Sequence, residues 1–259
     1  MTGRAGAPSG LIGPRQGEAL VLSSRFFTTE ALVIGSMRYK EADRIVTLYT
    51  RERGRLSAIA RGVRRTKSKV GGRLEPFALA QVSLYSGRNL YTVVGVETLR
   101  TFQGVRDELF RMEEGARLLG AARHLFPSEE RNAPAFNLLA RGVARLAEAP
   151  EAAEAVKVVL ATRLKLLAVL GYAPDLTSCA LCGGDAPVFG FSPSLGGVVC
   201  ATCASEGSTA CFPLGPGALA TMRLLLNSPL AELDRMDVDD VALTEVEQAV
   251  SQTLAYHGH

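Results

Sequence analysis

From Thr28 to about residue 100, the chain carries short hydrophobic segments in which apolar and polar residues often alternate. Such alternation is typical of strands that bury one face. The pattern predicts five strands, at Glu30–Ile34, Arg44–Tyr49, Leu56–Ala60, Leu79–Tyr85 and Asn89–Val96. Five short antiparallel strands without a long helix are typical of a small Greek-key barrel of the OB type. An SH3-like barrel is the alternative.

From about Arg106, apolar residues recur every three or four positions, which is the period of an amphipathic helix. In one such segment, Val156, Leu160 and Leu164 lie on the same face. The pattern predicts five helices, at Glu108–Phe126, Asn132–Glu148, Glu151–Leu170, Gly217–Asn227 and Thr244–His257. The sequence therefore predicts an α+β protein in which an OB-fold β-barrel is followed by an α-helical bundle.

These changes of pattern divide the 259-residue chain into three parts. Residues 1–27 contain Gly and Pro without a hydrophobic period, which predicts a flexible N-terminal extension. Residues 28–100 form the predicted OB-fold domain, and residues 101–259 form the predicted helical domain. A segment rich in Gly and Cys, at about residues 175–210, is predicted to be an insertion within the helical domain.

The insertion contains two Cys-x-x-Cys pairs, Cys179 with Cys182 and Cys200 with Cys203, separated by seventeen residues. A gap of two residues allows both thiolates of a pair to reach one ion, and two pairs supply four tetrahedral positions. We therefore predict one structural Zn²⁺ in a four-cysteine zinc finger. Free buried thiols and redox-active pairs are the alternatives. The fifth cysteine, Cys211, is predicted to be a small buried hydrophobic residue.

The composition excludes several classes of protein. Hydrophobic residues make up 47% and charged residues 21% of the chain, as in globular proteins. The sequence has no stretch of about 18 uninterrupted apolar residues, so we predict no membrane contact. It also shows no secretion signal, which predicts a cytoplasmic location. Nucleotide-binding, serine-hydrolase and metalloprotease motifs are also missing, which predicts a protein that is not an enzyme and has no small-molecule substrate.

The net charge of +3 conceals an asymmetry along the chain. Residues 28–100 carry fourteen Lys and Arg against six Asp and Glu, which indicates an anionic partner such as nucleic acid. The candidate nucleic-acid-binding residues are Arg38, Lys40, Arg44, Arg61, Arg64, Arg65, Lys67, Lys69 and Arg73. A solvated basic surface is the alternative, and the charges do not distinguish DNA from RNA. Tyr39, Phe77 and Tyr91 are candidates for base stacking, although core packing is the stronger expectation for each.

Two long segments resemble a known bacterial family. Residues 29–91, which begin TEALVIGSMRYKEADRIV, resemble the N-terminal region of bacterial RecO recombination mediators. Residues 171–184, GYAPDLTSCALCGG, and the second cysteine pair resemble the zinc segment of that family. The resemblance covers most of residues 28–211 and implies an OB fold, a helical domain and a zinc element held by the four cysteines.

The resemblance also implies a function in DNA repair and homologous recombination. It implies binding of single- and double-stranded DNA, annealing of complementary strands, and partnership with RecR in loading RecA. The implied loading of RecA takes place on DNA strands that are coated by single-stranded-DNA-binding protein. The acidic C-terminal tail of that protein is a further implied partner. A nucleoid-associated protein is therefore expected. A zinc-ribbon RNA-binding or transcription-associated protein and a zinc-dependent nucleic-acid hydrolase are the alternatives.

Overall fold

The computed structural model describes residues 25–65, 71–207 and 209–258. Most of the predicted N-terminal extension, residues 1–27, lies outside the described residues, as do Lys67 and Lys69. Within the described ranges, none of the helices has both the length and the apolar character needed to cross a bilayer.

The N-terminal part forms a closed five-stranded barrel with the strand order β1-β2-β3-β5-β4. Neighbouring strands are antiparallel except β3 and β5, which pair in parallel. The strands are β1 (Phe26–Tyr39), β2 (Asp43–Thr50), β3 (Gly54–Ala60), β4 (Ala78–Ser86) and β5 (Tyr91–Thr101). This five-stranded Greek-key arrangement is that of an OB fold, so the predicted fold is confirmed.

Strand β1 is much longer than the predicted segment Glu30–Ile34. Its first residues pair with β4, where Phe26 is opposite Tyr85, and its last residues pair with β2, where Tyr39 is opposite Asp43. Backbone pairing does not require apolar side chains, and both ends of β1 project beyond the hydrophobic interior. The hydrophobic pattern therefore detected only the middle of the strand.

The C-terminal part is helical, as predicted. The helices are α1 (Gly104–Asp107), α2 (Leu109–Leu125), α3 (Ala133–Glu148), α4 (Ala152–Val169), α5 (Ala201–Ser205), α6 (Pro216–Asn227) and α7 (Asp240–His257). Helix α7 begins one turn before the predicted Thr244, because Asp239 and Asp240 form its N-terminus, where acidic residues suit the helix dipole.

Helix α4 lies at the centre of the helical part and is buried on most of its surface. Even its charged residues are enclosed, and they have partners on neighbouring elements. Lys157 donates a hydrogen bond to the Met236 carbonyl oxygen at 2.9 Å, and Arg163 forms an ion pair with Glu247 at 2.7 Å. The one-sided pattern that predicted this helix therefore underestimated its burial.

A small antiparallel sheet with the order β7-β6-β8 occupies the predicted insertion. Its strands are β6 (Val188–Ser192), β7 (Gly197–Cys200) and β8 (Phe212–Pro213). These strands were not predicted, because they are short and are interrupted by glycines. Phe191 of β6 is fully buried and joins the core of the helical part.

Aromatic residues join the barrel to the helices. Tyr49 of β2 stacks on Phe126, with 3.9 Å between the ring centroids, and its hydroxyl donates to the Asn132 carbonyl oxygen at 3.4 Å. Phe77 is buried between the two parts, where Gly115 of α2 leaves room for its ring. Phe77 is therefore a core residue, which was the stronger expectation, and its ring is not available for stacking bases.

We expect Gly54→Ala to destabilise the protein by about 3 kcal/mol, because the new side chain would strain the backbone of residue 54 and overlap a neighbouring segment. Gly54 has φ +65°, and a Cβ atom there would overlap the backbone of Glu130. Gly72→Ala is the matched control, because its added Cβ would meet no atom within 4 Å. Urea unfolding measures both variants, and equal midpoints would contradict this account of the contact between barrel and helices.

Candidate metal centre and nucleic-acid interface

The four predicted cysteine ligands converge on one point. Their sulfur atoms all lie within 4.8 Å of one another, and Cys182 Sγ is 4.0 Å from Cys200 Sγ. Tetrahedral zinc with bonds of about 2.3 Å separates its sulfur ligands by roughly 3.8 Å. The cluster therefore fits a metal ion after a small contraction. Cys179, Cys200 and Cys203 are buried, whereas Cys182 is exposed.

The backbone holds the first cysteine pair against strand β7. The Ala180 N–H donates to the Val198 carbonyl oxygen at 2.8 Å, and the Gly183 N–H donates to the Cys179 carbonyl oxygen at 2.7 Å. Gly183 has φ +71°, a left-handed conformation that glycine adopts without strain, and it closes the tight turn after the first pair. Cys200 ends β7 and Cys203 lies in α5, so a strand-to-helix junction supplies the second pair.

The thiols of the cluster differ in acidity. Backbone N–H groups of Cys182 and Cys200 donate to Cys179 Sγ and lower the pKa of this thiol to about 6. A hydrogen bond with Cys200 and burial raise the pKa of Cys203. Four thiolates in one small volume repel one another, and a bound cation removes this repulsion. Four soft sulfur ligands in a tetrahedral arrangement favour zinc or iron.

Asp175 anchors the chain just before the first cysteine pair, a role that the sequence patterns did not indicate. Its carboxylate accepts hydrogen bonds from the Thr177 N–H at 2.8 Å and the Thr177 hydroxyl at 2.7 Å. These bonds lower the pKa of Asp175. Its backbone also pairs with Gly196 and Val198, which connects the chain before Cys179 to the sheet. The available signal was Asp followed by Thr and Ser, which is typical of an Asx turn.

Five predicted nucleic-acid-binding residues lie together at one end of the barrel, which we term the cationic end: Arg38, Lys40, Arg61, Arg64 and Arg65. All five are exposed. Hydrogen bonds hold the turn after β3 against the β1–β2 hairpin. The Gly62 N–H donates to Asp43 Oδ1 at 2.8 Å, and the Arg64 guanidinium donates to the Glu41 carbonyl oxygen at 2.9 Å. Lys40 and Arg64, which are 24 residues apart in the chain, thus share one surface.

The remaining predicted basic residues are placed differently. Arg44 is the cross-strand neighbour of Arg38, but it forms an ion pair with Glu75, which neutralises its charge locally. Arg73 is exposed and donates a hydrogen bond to the Val96 carbonyl oxygen of β5 at 3.0 Å. Lys67 and Lys69 lie outside the described residues. Of the seven candidates that the structure describes, five are thus exposed together at the cationic end, and Arg44 beside them is paired with an acid.

The other two aromatic candidates lie on different sides of the barrel. Tyr39 is 38% exposed at the cationic end, and the Lys40 ammonium group lies 5.5 Å from its ring centroid. Tyr91 is half-buried, and its hydroxyl donates to Glu129 Oε1 at 3.1 Å. Burial raises the pKa of Tyr91, and the Glu129 contact adds to this effect. Tyr39 is therefore the aromatic candidate that the fold places beside the basic cluster.

Both parts of the chain match sequence models of one family. Residues 22–102 match the model described as Recombination protein O N terminal. Residues 115–258 match the model described as Recombination protein O C terminal. The first match spans the barrel, and the second spans most of the helical part, including the cysteine cluster.

Several bacterial proteins named DNA repair protein RecO are similar to this chain over most of its length. The protein from Rubrobacter xylanophilus is 41% identical over 208 residues, which cover 80% of this chain and 83% of the relative. That from Cutibacterium acnes is 40% identical over 70% of this chain and 76% of the relative. That from Nocardioides sp. is 38% identical over 89% of this chain and 94% of the relative.

Proposed function

The chain belongs to the RecO family and has a role in DNA repair and recombination, and we propose that it acts by binding DNA and annealing complementary strands. The proposed ligands are single- and double-stranded DNA, and no covalent step is catalysed. The observation that supports this proposal best is the cationic end of the barrel. There a hydrogen-bonded turn and hairpin present five exposed basic side chains on one surface.

The proposed mechanism is electrostatic. Two DNA strands repel each other through their phosphates, and this repulsion opposes the approach of complementary bases. Basic side chains that neutralise phosphates reduce the repulsion and release counterions. Strands held at the cationic end would therefore pair faster than free strands, and their binding would weaken as salt rises.

We propose that residues 28–100 form the DNA-binding domain and that residues 101–259 present surfaces to other repair proteins. The proposed partners are RecR and the acidic C-terminal tail of single-stranded-DNA-binding protein. With RecR, the protein would help to load RecA on strands coated by that binding protein. The proposed location is the cytoplasm, in association with the nucleoid.

We further propose that the metal is one structural zinc ion held by Cys179, Cys182, Cys200 and Cys203. All four tetrahedral positions would be filled by protein sulfur, so the ion would have no open position for a substrate. Its contribution would be to stabilise the small β6–β8 sheet. Cys211 packs beside the cluster but is not one of the four converging cysteines.

We expect the protein to accelerate annealing of complementary oligonucleotides that are coated with single-stranded-DNA-binding protein. No nucleotide cofactor should be required, because the proposed mechanism needs only charge neutralisation and release of the coating. Fluorescence energy transfer between end-labelled strands measures the rate. An unchanged annealing rate would contradict the proposed function.

The same assay addresses the alternative of an RNA-binding protein. Unlabelled RNA of the same sequence should compete less well than unlabelled DNA for the labelled strands. Preferential competition by RNA would instead favour the RNA-binding alternative.

A further inference from the structure

The end of the barrel opposite the cationic end carries a second group of side chains, which we term the aromatic end: Arg25, Phe26, Arg53, Tyr85 and Arg88. Strand β1 starts at this group and finishes at the cationic end. With a rise of about 3.3 Å per residue, the fourteen residues of β1 place its ends roughly 40 Å apart along the strand. The two ends are therefore separate surfaces on one barrel.

Two aromatic contacts organise the aromatic end. Phe26 is 57% exposed and packs against Tyr85, with 4.6 Å between the ring centroids. The next residue, Phe27, points to the other face of β1, where it packs against the barrel core and makes an edge contact with Tyr91 at 5.6 Å. The Arg53 guanidinium lies over the Phe27 ring, 4.0 Å from its centroid. Phe26 and the exposed Arg53 guanidinium thus offer two planar groups at the start of β1, one on each face of the strand.

Three arginines belong to the same end of the barrel. Arg25 precedes Phe26, and its carbonyl oxygen accepts a hydrogen bond from the Ser86 N–H at 2.8 Å, which places it beside the β4–β5 turn. Arg88 lies in that turn, and Arg25, Arg53 and Arg88 are all exposed. Two carboxylates are close: Glu52 accepts a hydrogen bond from the Thr29 hydroxyl, and Glu129 accepts one from the Tyr91 hydroxyl. These neutral donors fix the carboxylates in place without cancelling their charge, so the three arginines leave a net positive charge of one.

An exposed aromatic ring beside arginine side chains is the combination that binds unpaired nucleic-acid bases. Every base has a π-face, so stacking tolerates any sequence, while arginine contributes phosphate contacts and stacks through its guanidinium plane. A protein partner would also accept exposed apolar surface. The excess of arginines over carboxylates, however, suits a phosphate backbone.

We propose that the aromatic end binds a second segment of single-stranded DNA. Bases stack on Phe26 and on the Arg53 guanidinium, while Arg25 and Arg88 contact phosphates. This proposal rests on the proposed function, because annealing requires two strands to be held by one protein or by associated copies. Two surfaces at opposite ends of one barrel give each strand its own site.

The absence of Trp from the sequence permits a direct test. In a Phe26→Trp variant, the new indole is the single tryptophan, and stacked bases quench its fluorescence. We expect oligothymidylate to quench this fluorescence at the same concentrations at which it raises the anisotropy of a labelled strand. Val241→Trp is the control, because Val241 is 64% exposed on α7, and its fluorescence should not change.

A second pair of variants separates charge from stacking. Arg25→Glu with Arg88→Glu should weaken oligothymidylate binding roughly tenfold and reduce its salt dependence. Phe26→Ala should weaken binding by a similar factor without changing the salt dependence. Arg141→Glu with Arg235→Glu makes the same change in net charge at exposed positions of the helical part, and it should have little effect.

These measurements distinguish the two proposals. If the unmodified protein binds no oligonucleotide, the proposed function itself is wrong. If it binds, but the indole fluorescence of the Phe26→Trp variant and the affinities of the other aromatic-end variants are unchanged, the aromatic end is not a DNA site and the cationic end remains. A protein partner that shields this indole from solvent under those conditions would likewise overturn the proposal.

Discussion

Replacing Cys200 by Ser is expected to abolish metal binding and to make residues 171–210 sensitive to proteases. Cys200 would supply one of four ligands, and its N–H donates to Cys179 Sγ at 3.4 Å. Structural zinc sites contribute about 10–16 kcal/mol of apparent binding free energy in small peptides. The strands of the β6–β8 sheet are short, and the chain around the cysteines is mostly turn and loop, so losing the ion should release the segment around the cluster. The central helices should remain folded.

Elemental analysis of the purified protein measures metal content, and limited proteolysis with mass spectrometry locates the cleavage sites. We expect about one zinc per chain in the unmodified protein. Cys211→Ser is the matched control, because Cys211 packs against the cluster without belonging to it, and this variant should retain zinc. Native protein without zinc, or a Cys200→Ser variant that retains it, would contradict the assignment.

Reversing the charges of Arg64 and Arg65 is expected to weaken DNA binding by one to two orders of magnitude and to flatten its salt dependence. Each phosphate contact contributes about 0.7 to the slope of log K against log salt for single strands, so two lost contacts should lower the slope by about 1.4. Titrations at several salt concentrations, with fluorescence anisotropy as the signal, measure both quantities. An unchanged slope would contradict a role for this turn.

The Arg64 side chain also holds the turn against the hairpin, through the Glu41 carbonyl oxygen. Arg61→Glu with Arg65→Glu keeps that hydrogen bond while it removes the same charge. If both double variants reduce the slope of log K against log salt equally, phosphate contact explains the reduction. If only the variant that lacks Arg64 loses affinity, Arg64 orders the hairpin and the charges themselves matter little.

Local signals in the sequence predicted much of the molecule. Alternation in Leu56–Ala60 identified a strand whose inward side chains are buried, and the three- and four-residue period identified α2, α3 and α4. Both patterns arise because one face of an element packs inward. The spacing within each cysteine pair was equally informative, because a metal imposes its geometry over a few residues.

Features that depend on contacts between distant residues were not predictable in this way. Nothing in the sequence indicates that Tyr49 stacks on Phe126 or that Asp175 connects the first cysteine pair to β7. The β6–β8 strands were missed because each is too short to show a clear alternation, and their pairing joins residues that are distant in the chain. Phe77 has an aromatic ring of the kind that stacks on bases, but the fold buries this ring in the core.

The two candidate sites illustrate the same division. Four cysteines in two close pairs were enough to predict a metal centre. The spacing within each pair is visible in the local sequence, and four thiolates suit only a few kinds of metal ion. The basic residues were equally visible, but charge alone does not state which of them share a surface. Only the fold decides that Arg38 and Arg64 lie at one end of the barrel, that Arg44 is paired with Glu75, and that Arg53 lies on Phe27 near the other end. Strand pairing sets these positions, because it joins residues that are far apart in the chain.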